Sequence, residues 1–304
     1  MSTVIYPNFF VIGMERSGTH WVAALLNSHP NIACFPSLPF HTEPGMNNVG
    51  EVHFFDTLAS LEEKEYLFKR PFEDFLTKYN KVFADLVPLK DTLSRSALYQ
   101  RFKERFGEYC NEQRGKKQIV GESTPAYVFC LDFMDELYPG ISKIAIIRDP
   151  KDKIVSWHFN QIRKERKKPD EPITEAFALD YLHERIIPEY RALLAYDKPV
   201  HVLTYEYLSD HGVPAVMRMV SFLGREVSEA LAQEMLDNAS FEKQTKRDSG
   251  VERKKGEQDV KSGLRKGVVG DWQNYLTSEI AEKIDAATRE LREQTFSKYH
   301  VVTS

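Results

Sequence analysis

Three short stretches of this 304-residue chain place cations where they could grip an anion. The first is Gly13-Met14-Glu15-Arg16-Ser17-Gly18-Thr19-His20-Trp21, with Arg16 between two glycines. A glycine-bounded loop that opens a helix aims several backbone N–H groups at one spot, and the helix start adds partial positive charge. The second stretch is Arg148-Asp149-Pro150, followed by Ser156, and the third is Arg265-Lys266-Gly267. In an open α/β sheet, ligands sit beyond the carboxyl ends of the strands. Arg16, Arg148 and the Arg265–Lys266 pair are expected to meet there, with Ser156 adding a hydroxyl beside Arg148. Two anion sites, one on the glycine loop and one away from it, suit a nucleotide phosphorylated at both its 5′ and 3′ positions.

The loop has the glycine spacing of the nucleoside-triphosphate motif G-x-x-x-x-G-K-[ST], in which Lys meets the outer phosphates and a hydroxyl meets Mg²⁺. Here Thr19 stands in place of the Lys and His20 in place of the hydroxyl residue. The cradle is therefore expected to take a 5′-phosphate-type group without a triphosphate or its metal. A metal-dependent nucleotide kinase is the rival reading.

The elements that must position these residues follow from the apolar pattern. Phe9-Phe10-Val11-Ile12 reads as a strand buried on both faces of a parallel sheet, followed by a helix carrying Trp21, Leu25 and Leu26. Asn31 to Gly50 reads as a loop. Residues 57–117 are charge-rich and helical in pattern, and are expected to cap the sheet edge. Within them Ser94 caps a helix with the stripe Leu98, Phe102, Phe106 and Tyr109. Gln118 to Gly121, Ile144 to Ile147 (taken as the central strand) and Val200 to Leu203 read as further strands, the first followed by the turn Glu122 to Pro125. Asp149 is placed as an N-cap with Pro150 at the first helical position. Val213 to Leu223 reads as a helix stopped at Gly224, and a final helix begins near Ser278. Lys246 to Lys261 lacks an apolar period and predicts a mobile lid at about 246–263. The sum is one α/β domain over 1–304, a P-loop-like three-layer fold with a central parallel sheet flanked by helices.

Bulk properties narrow the function class. Charged residues make up 28% and hydrophobic ones 42%, as in an ordinary globular protein. A net charge of −4 gives no support to nucleic-acid binding. Cys34, Cys110 and Cys130 are too few and scattered for a disulfide framework or zinc site, and are expected to be buried thiols. No apolar run approaches the roughly 20 residues needed to span a bilayer. The first residues lack a basic region followed by an apolar stretch, so a cytoplasmic location and no membrane partner are expected.

With these residues in hand, the chain resembles the sulfotransferases that use 3′-phosphoadenosine 5′-phosphosulfate (PAPS). Arg16-Ser17-Gly18-Thr19-His20-Trp21 is similar to their 5′-phosphosulfate loop, and Arg148-Asp149-Pro150 through Ser156 to their 3′-phosphate motif. Arg265-Lys266-Gly267 with Gly270-Asp271-Trp272 resembles the R-K-G-x-x-G-D-W of cytosolic members. Tyr205-Glu206 and Ser240-Phe241 also fall where the family has a strand-end pair and a nucleotide contact. The matches run in the family's order from residue 9 to 272. The resemblance implies that Arg16 and the backbone of Ser17, Gly18 and Thr19 hold the 5′-phosphosulfate. By the same resemblance Arg148, Ser156, Arg265 and Lys266 hold the 3′-phosphate, while Trp21 and Phe241 flank the adenine.

Glu51-Val52-His53-Phe54-Phe55-Asp56 resembles the E-x-H-F-F segment of heparan-type members, which implies Glu51 as general base. Read as a strand, the segment would put Glu51 and His53 on one face, where His53 could orient or replace the Glu. Some positions depart from the family pattern. Arg16 replaces a common Lys, His20 a Thr, and Ser123 stands where the heparan-type E-K-[ST]-P-x-Y has its Lys. His20 is the expected substitute for that Lys. The implied reaction moves a sulfuryl group from PAPS to an acceptor hydroxyl or amine, leaves 3′-phosphoadenosine 5′-phosphate (PAP), and requires no metal. A soluble small molecule such as a specialised metabolite is the expected acceptor, a carbohydrate the alternative, and residues 36–50 and 57–117 are expected to shape its pocket. A homodimer is the one further partner considered.

Overall fold

In the computed structural model the described residues are 7–13, 15–36, 51–62, 70–78 and 81–303. Among them five strands form one wholly parallel sheet: β1 Phe9–Gly13, β2 Ile32–Phe35, β3 Ile119–Ser123, β4 Ser142–Ile147 and β5 His201–Thr204. Their spatial order is β2-β3-β1-β4-β5. The middle strand is thus β1 rather than the Ile144–Ile147 strand. β1 pairs with β4 in the register Val11↔Ile144 and with β3 in the register Phe10↔Glu122.

β2 lies inside the stretch that reads as a loop. Ile32-Ala33-Cys34-Phe35 is only four residues long and is followed by Pro36, so the turn-rich composition after it hides it. β3 also runs on through Ser123, two residues into the expected turn. Residues 37–50, on which part of the acceptor-pocket expectation falls, lie outside the described residues.

Alternate strand residues feed two cores, as a period of two requires. Phe9, Val11, Ile144 and Ile146 pack against α1 Thr19–Ser28, with Val22, Leu25 and Leu26 facing them. Phe10, Ile12, Ala145 and Ile147 face the opposite layer. That layer begins with α2 Phe54–Leu58, α3 Phe72–Lys78 and α4 Arg95–Arg114. Ser94 Oγ accepts from Ala97 N at the start of α4, and Leu98, Phe102, Phe106 and Tyr109 form its buried stripe. α5 Leu131–Leu137 leads into β4, and α6 Pro150–Arg163 leaves it, capped by Asp149, whose Oδ1 accepts from Lys151 N at 2.8 Å.

The remaining helices are α7 Glu175–Tyr181, α8 Ile187–Ala195, α9 Tyr205–Asp210, α10 Gly212–Phe222, α11 Glu229–Asn238, α12 Phe241–Ser249 and α13 Ser278–Lys298. α10 and α11 join the α1 layer; α6, α8 and α13 join the other. The charged stretch expected as a loop from Lys246 instead begins as the last turn of α12, where Gly250 ends the helix. All three cysteines are buried free thiols. No helix among the described residues is long and apolar enough to cross a membrane.

β1 and β4 are neighbours, yet α1 and α6 leave their carboxyl ends toward opposite faces. That divergence opens a crevice above the two strand ends, the usual ligand position in such sheets.

Candidate active site

The glycine loop is shaped by contact as well as by turn geometry. Gly18, the residue before α1, has φ 104°, a conformation L side chains rarely adopt, and a Cβ there would lie 2.7 Å from the Tyr205 ring. Gly18 O accepts from Trp21 N at 3.0 Å and Val22 N at 3.2 Å, and Gly18, Thr19, His20 and Trp21 line a cavity of about 810 Å³. Ser17 is fully buried and its Oγ has no partner among the described residues. A buried hydroxyl left unpaired at the start of a helix fits an anion that would satisfy it.

Arg16 closes one side. Its φ is 70°, its Nε donates to Ser156 Oγ at 2.9 Å, and one terminal nitrogen donates to Gly263 O at 3.2 Å. Ser156, expected beside Arg148, is thus hydrogen-bonded to Arg16; two turns of α6 carry its hydroxyl across the crevice toward the loop. Arg148 stands over the Tyr205 ring at 4.3 Å, donates to Val268 O at 2.9 Å and lies 3.4 Å from Asp152 Oδ2. Its Nε is buried without a partner among the described residues. Trp21 meets Tyr205 edge-on, 5.2 Å between ring centres, so Tyr205 joins the two arginine loops. Glu206, next in sequence, accepts from Asp149 N at 3.0 Å and pins the turn that aims Arg148.

The carboxyl-terminal segment reaches the same cavity. Arg265 and Lys266 line it, but both are paired with Asp271, Lys266 Nζ at 2.6 Å. Arg265 also lies over Phe159 at 4.3 Å. Asp152 holds this segment to α6 by accepting from Gly270 N at 2.8 Å and Trp272 N at 3.0 Å. Gly267 has φ 70°, and a Cβ there would meet the Phe241 ring at 2.5 Å. Phe241 thus packs on the Arg265–Gly267 segment as it lines the cavity.

Glu51 and His53 do not form a strand. Phe54 and Phe55 open α2, and His53 stands before it at φ 54°. Phe54 stacks on Phe106 at 4.2 Å and Phe55 meets Phe10 edge-on at 5.1 Å, so two buried rings anchor the segment. Each such ring contributes roughly 1.5–3 kcal/mol of burial. The left-handed turn still brings the two side chains together: His53 Nε2 lies 3.0 Å from Glu51 Oε2. His53 Nδ1 lies 2.8 Å from Asp56 Oδ2, and Arg70 Nε approaches the same carboxylate at 3.3 Å. Burial works against the His53 charge, yet Asp56 and Glu51 outweigh it and hold its pKa up at about 9. Burial likewise opposes the Glu51 charge, but His53, His20 and Arg70 pull it down to about 2. His20 Nε2 sits 3.7 Å from Glu51 Oε1, and burial lowers its pKa.

The sequence reading passed over several residues. Glu15 lines the cavity with its pKa raised, mainly by burial, while Arg185 at 3.8 Å pulls the other way. Asp56, Arg70 and Asp152 each touch a named site residue or its backbone. Asp56 stands inside the E-x-H-F-F-D stretch, and its i+3 spacing from His53 across a helix start was the signal available for it.

A glycine loop on a parallel strand and two arginines across one crevice define a P-loop-like α/β protein. The chain belongs to the sulfotransferase domain family, whose sequence profile matches residues 6–296. It is 30% identical to cytosolic sulfotransferase 17 of Arabidopsis thaliana over 174 residues, 50% of this chain and 49% of that protein. The chain spans about half the length of the curated relatives it matches. Its fold is similar to the crystal structure of a sulfotransferase from Alicyclobacillus acidocaldarius, with TM-score 0.53 and 18% identity over 98% of this chain and 97% of that one. A mouse sulfotransferase complexed with PAP aligns with TM-score 0.52 and 17% identity over 96% of this chain and 85% of the mouse protein.

Proposed function

We propose that this chain transfers a sulfuryl group from PAPS to a hydroxyl or amine of an acceptor, a small molecule in preference to a carbohydrate. The observation that carries this reading is the cradle at Arg16 to Thr19, with its unpaired buried Ser17 hydroxyl and no lysine at position 19. PAPS, when bound, supplies the sulfuryl group and an anionic leaving phosphate. Ser17, Gly18, Thr19 and Arg16 would hold the 5′ side. Arg148 would hold the 3′-phosphate through its remaining donors, with Arg265 and Lys266 exchanging Asp271 for it in part. Trp21 and Phe241 would flank the base.

In this reading the acceptor oxygen or nitrogen attacks sulfur as the bond from sulfur to the 5′-phosphate oxygen breaks. The acceptor's proton passes to Glu51, and the electron pair leaves with PAP. N–H groups aimed at the loop stabilise the charge that grows on the leaving phosphate. Glu51 is ionised and able to accept the proton, and an anionic donor in the same cavity raises its proton affinity toward a more effective range. His20, beside Glu51, is the neutral imidazole in place of the absent Lys.

Thermal unfolding with PAP, AMP and ATP–Mg²⁺ in parallel tests the proposal. PAP at about 100 times its dissociation constant should add roughly 2.7 kcal/mol of stability, with smaller shifts from AMP and ATP–Mg²⁺. A response to ATP–Mg²⁺ alone would overturn the reading in favour of a nucleotide kinase.

A further inference from the structure

Glu122 ends β3 with its side chain fully buried, outside the roles assigned above. Thr124 Oγ1 donates to Glu122 Oε1, and the Tyr127 hydroxyl acts on the same carboxyl, whose Oε2 is buried with no partner among the described residues. Each hydroxyl also accepts one backbone N–H from the segment carrying the candidate base. Thr124 Oγ1 accepts from His53 N at 3.4 Å, and Tyr127 OH accepts from Phe54 N at 2.8 Å. These two successive N–H groups open α2, where the side chain of the N-cap residue His53 makes no capping bond. A non-glycine residue at φ 54° persists only where its surroundings determine it, and here they are Thr124 and Tyr127.

We infer that Glu122 is a positioning residue that acts through Thr124 and Tyr127 to hold His53 in its left-handed turn, and so sets the Glu51–His53–Asp56 alignment. Glu122 touches neither Glu51 nor the cavity; its carboxyl orders two hydroxyls, and the hydroxyls fix two peptide groups. The strand end thereby transmits the sheet's rigidity to a residue more than 60 positions away in sequence. The groups facing His53 are Glu51, Asp56 and Arg70, with Glu122 behind its backbone. The catalytic consequence rests on the sulfuryl-transfer reading; the placement of His53 does not.

The test is a set of variants read in two ways. Thr124→Val and Tyr127→Phe each remove one hydroxyl, Glu122→Leu removes the acceptor, and Thr124→Ser and Glu122→Gln restore the hydrogen-bonding groups. The first reading is the His53 imidazole titration by NMR of protein labelled at histidine Cε1. Losing either hydroxyl or the acceptor should drop the His53 midpoint by about one pH unit or more, as the ring leaves its carboxylates. Both conservative variants should keep it at the raised wild-type value, about 9. The second reading is PAP affinity, unchanged within about twofold, against sulfuryl transfer from PAPS, lowered about tenfold or more in the disrupting variants. An unshifted His53 titration in Tyr127→Phe overturns the inference, and so does failure of Thr124→Ser to restore it. Tyr127→Phe keeps the ring volume and decides the matter if the Val or Leu variant does not fold. Loss of PAP binding by the wild type would remove the sulfotransferase reading and leave the titration result standing.

Discussion

Glu51 and His53 fix each other's charge, and a substitution at either acts on both. Glu51→Gln removes the proton acceptor and one of two carboxylates that keep His53 protonated. Transfer from PAPS should fall by roughly 10²–10⁴-fold, with PAP affinity nearly unchanged; equal turnover in Glu51→Gln would transfer the role elsewhere, Glu15 being another carboxylate of the cavity. Arg16, Arg148, Arg265 and Lys266 could be named from sequence because each sits in a short run near a glycine, a proline or a strand end, and Ser156 from its spacing after Arg148. Their partners were harder to read. Asp271 neutralises Arg265 and Lys266 from the neighbouring turn, and Ser156 serves Arg16 across 140 positions. Pairings of that kind depend on the crossing of α6 over the crevice, which no local spacing encodes.

At the scale of elements, strands β1, β4 and β5 and helices α4, α6, α10 and α13 were legible because long apolar runs or capped stripes announce them. β2 was missed because four residues carry too little pattern, and α2 because Glu51-Val52-His53 alternates like a strand before Phe54 and Phe55 turn into a helix. That error has a consequence: a strand would have left the turn at His53 relaxed, whereas the helix start depends on Thr124, Tyr127 and Glu122. The dependence should appear in stability against pH. Burial pushes Glu122 from an ordinary 4.5 up to about 8, so the folded chain keeps a proton there that the unfolded chain releases from about pH 4.5 upward. Its contribution is complete below 4.5 and lost as pH rises through 8. His53, raised from 6.5 to about 9, has the same sign: full support below 6.5, lost as pH rises through 9. Unfolding free energy should therefore decline from pH 5 to 9, by at most about 1.4 kcal/mol per pH unit for each group. Glu122→Gln should flatten the part below pH 8 in urea titrations; an identical slope would show that Glu122 does not titrate in this range. The loop before α1 makes a separate prediction. Gly18→Ala meets both a positive φ and the Tyr205 ring, and should cost about 1–3 kcal/mol of stability and weaken PAP binding, measured by urea unfolding and calorimetry.

For the whole molecule, the decisive feature is that the same arginines face the anion site and hold the carboxyl-terminal segment. Arg16 donates to Gly263 O and Arg148 to Val268 O, while Asp152 takes the N–H groups of Gly270 and Trp272. Residues 263–272 are thereby fastened to α1 and α6 through groups at the mouth of the crevice. An arginine has five N–H donors, so each can keep its carbonyl and still offer others to a phosphate. We propose that donor binding and closure of this segment support one another, as a lid next to the expected one at about 246–263 would require. Asp152 separates the two effects, because it fastens the segment and aligns Arg148 without lining the cavity. Asp152→Asn keeps the shape but weakens two charge-assisted bonds, each worth about 1.5–3 kcal/mol. PAP should bind roughly tenfold more weakly, and amide exchange across 264–274 should quicken in the free protein and slow again when PAP is added. If exchange quickens while PAP affinity holds, the segment is only a neighbour of the site. If both change, closure of the carboxyl-terminal segment is part of how this fold grips its donor.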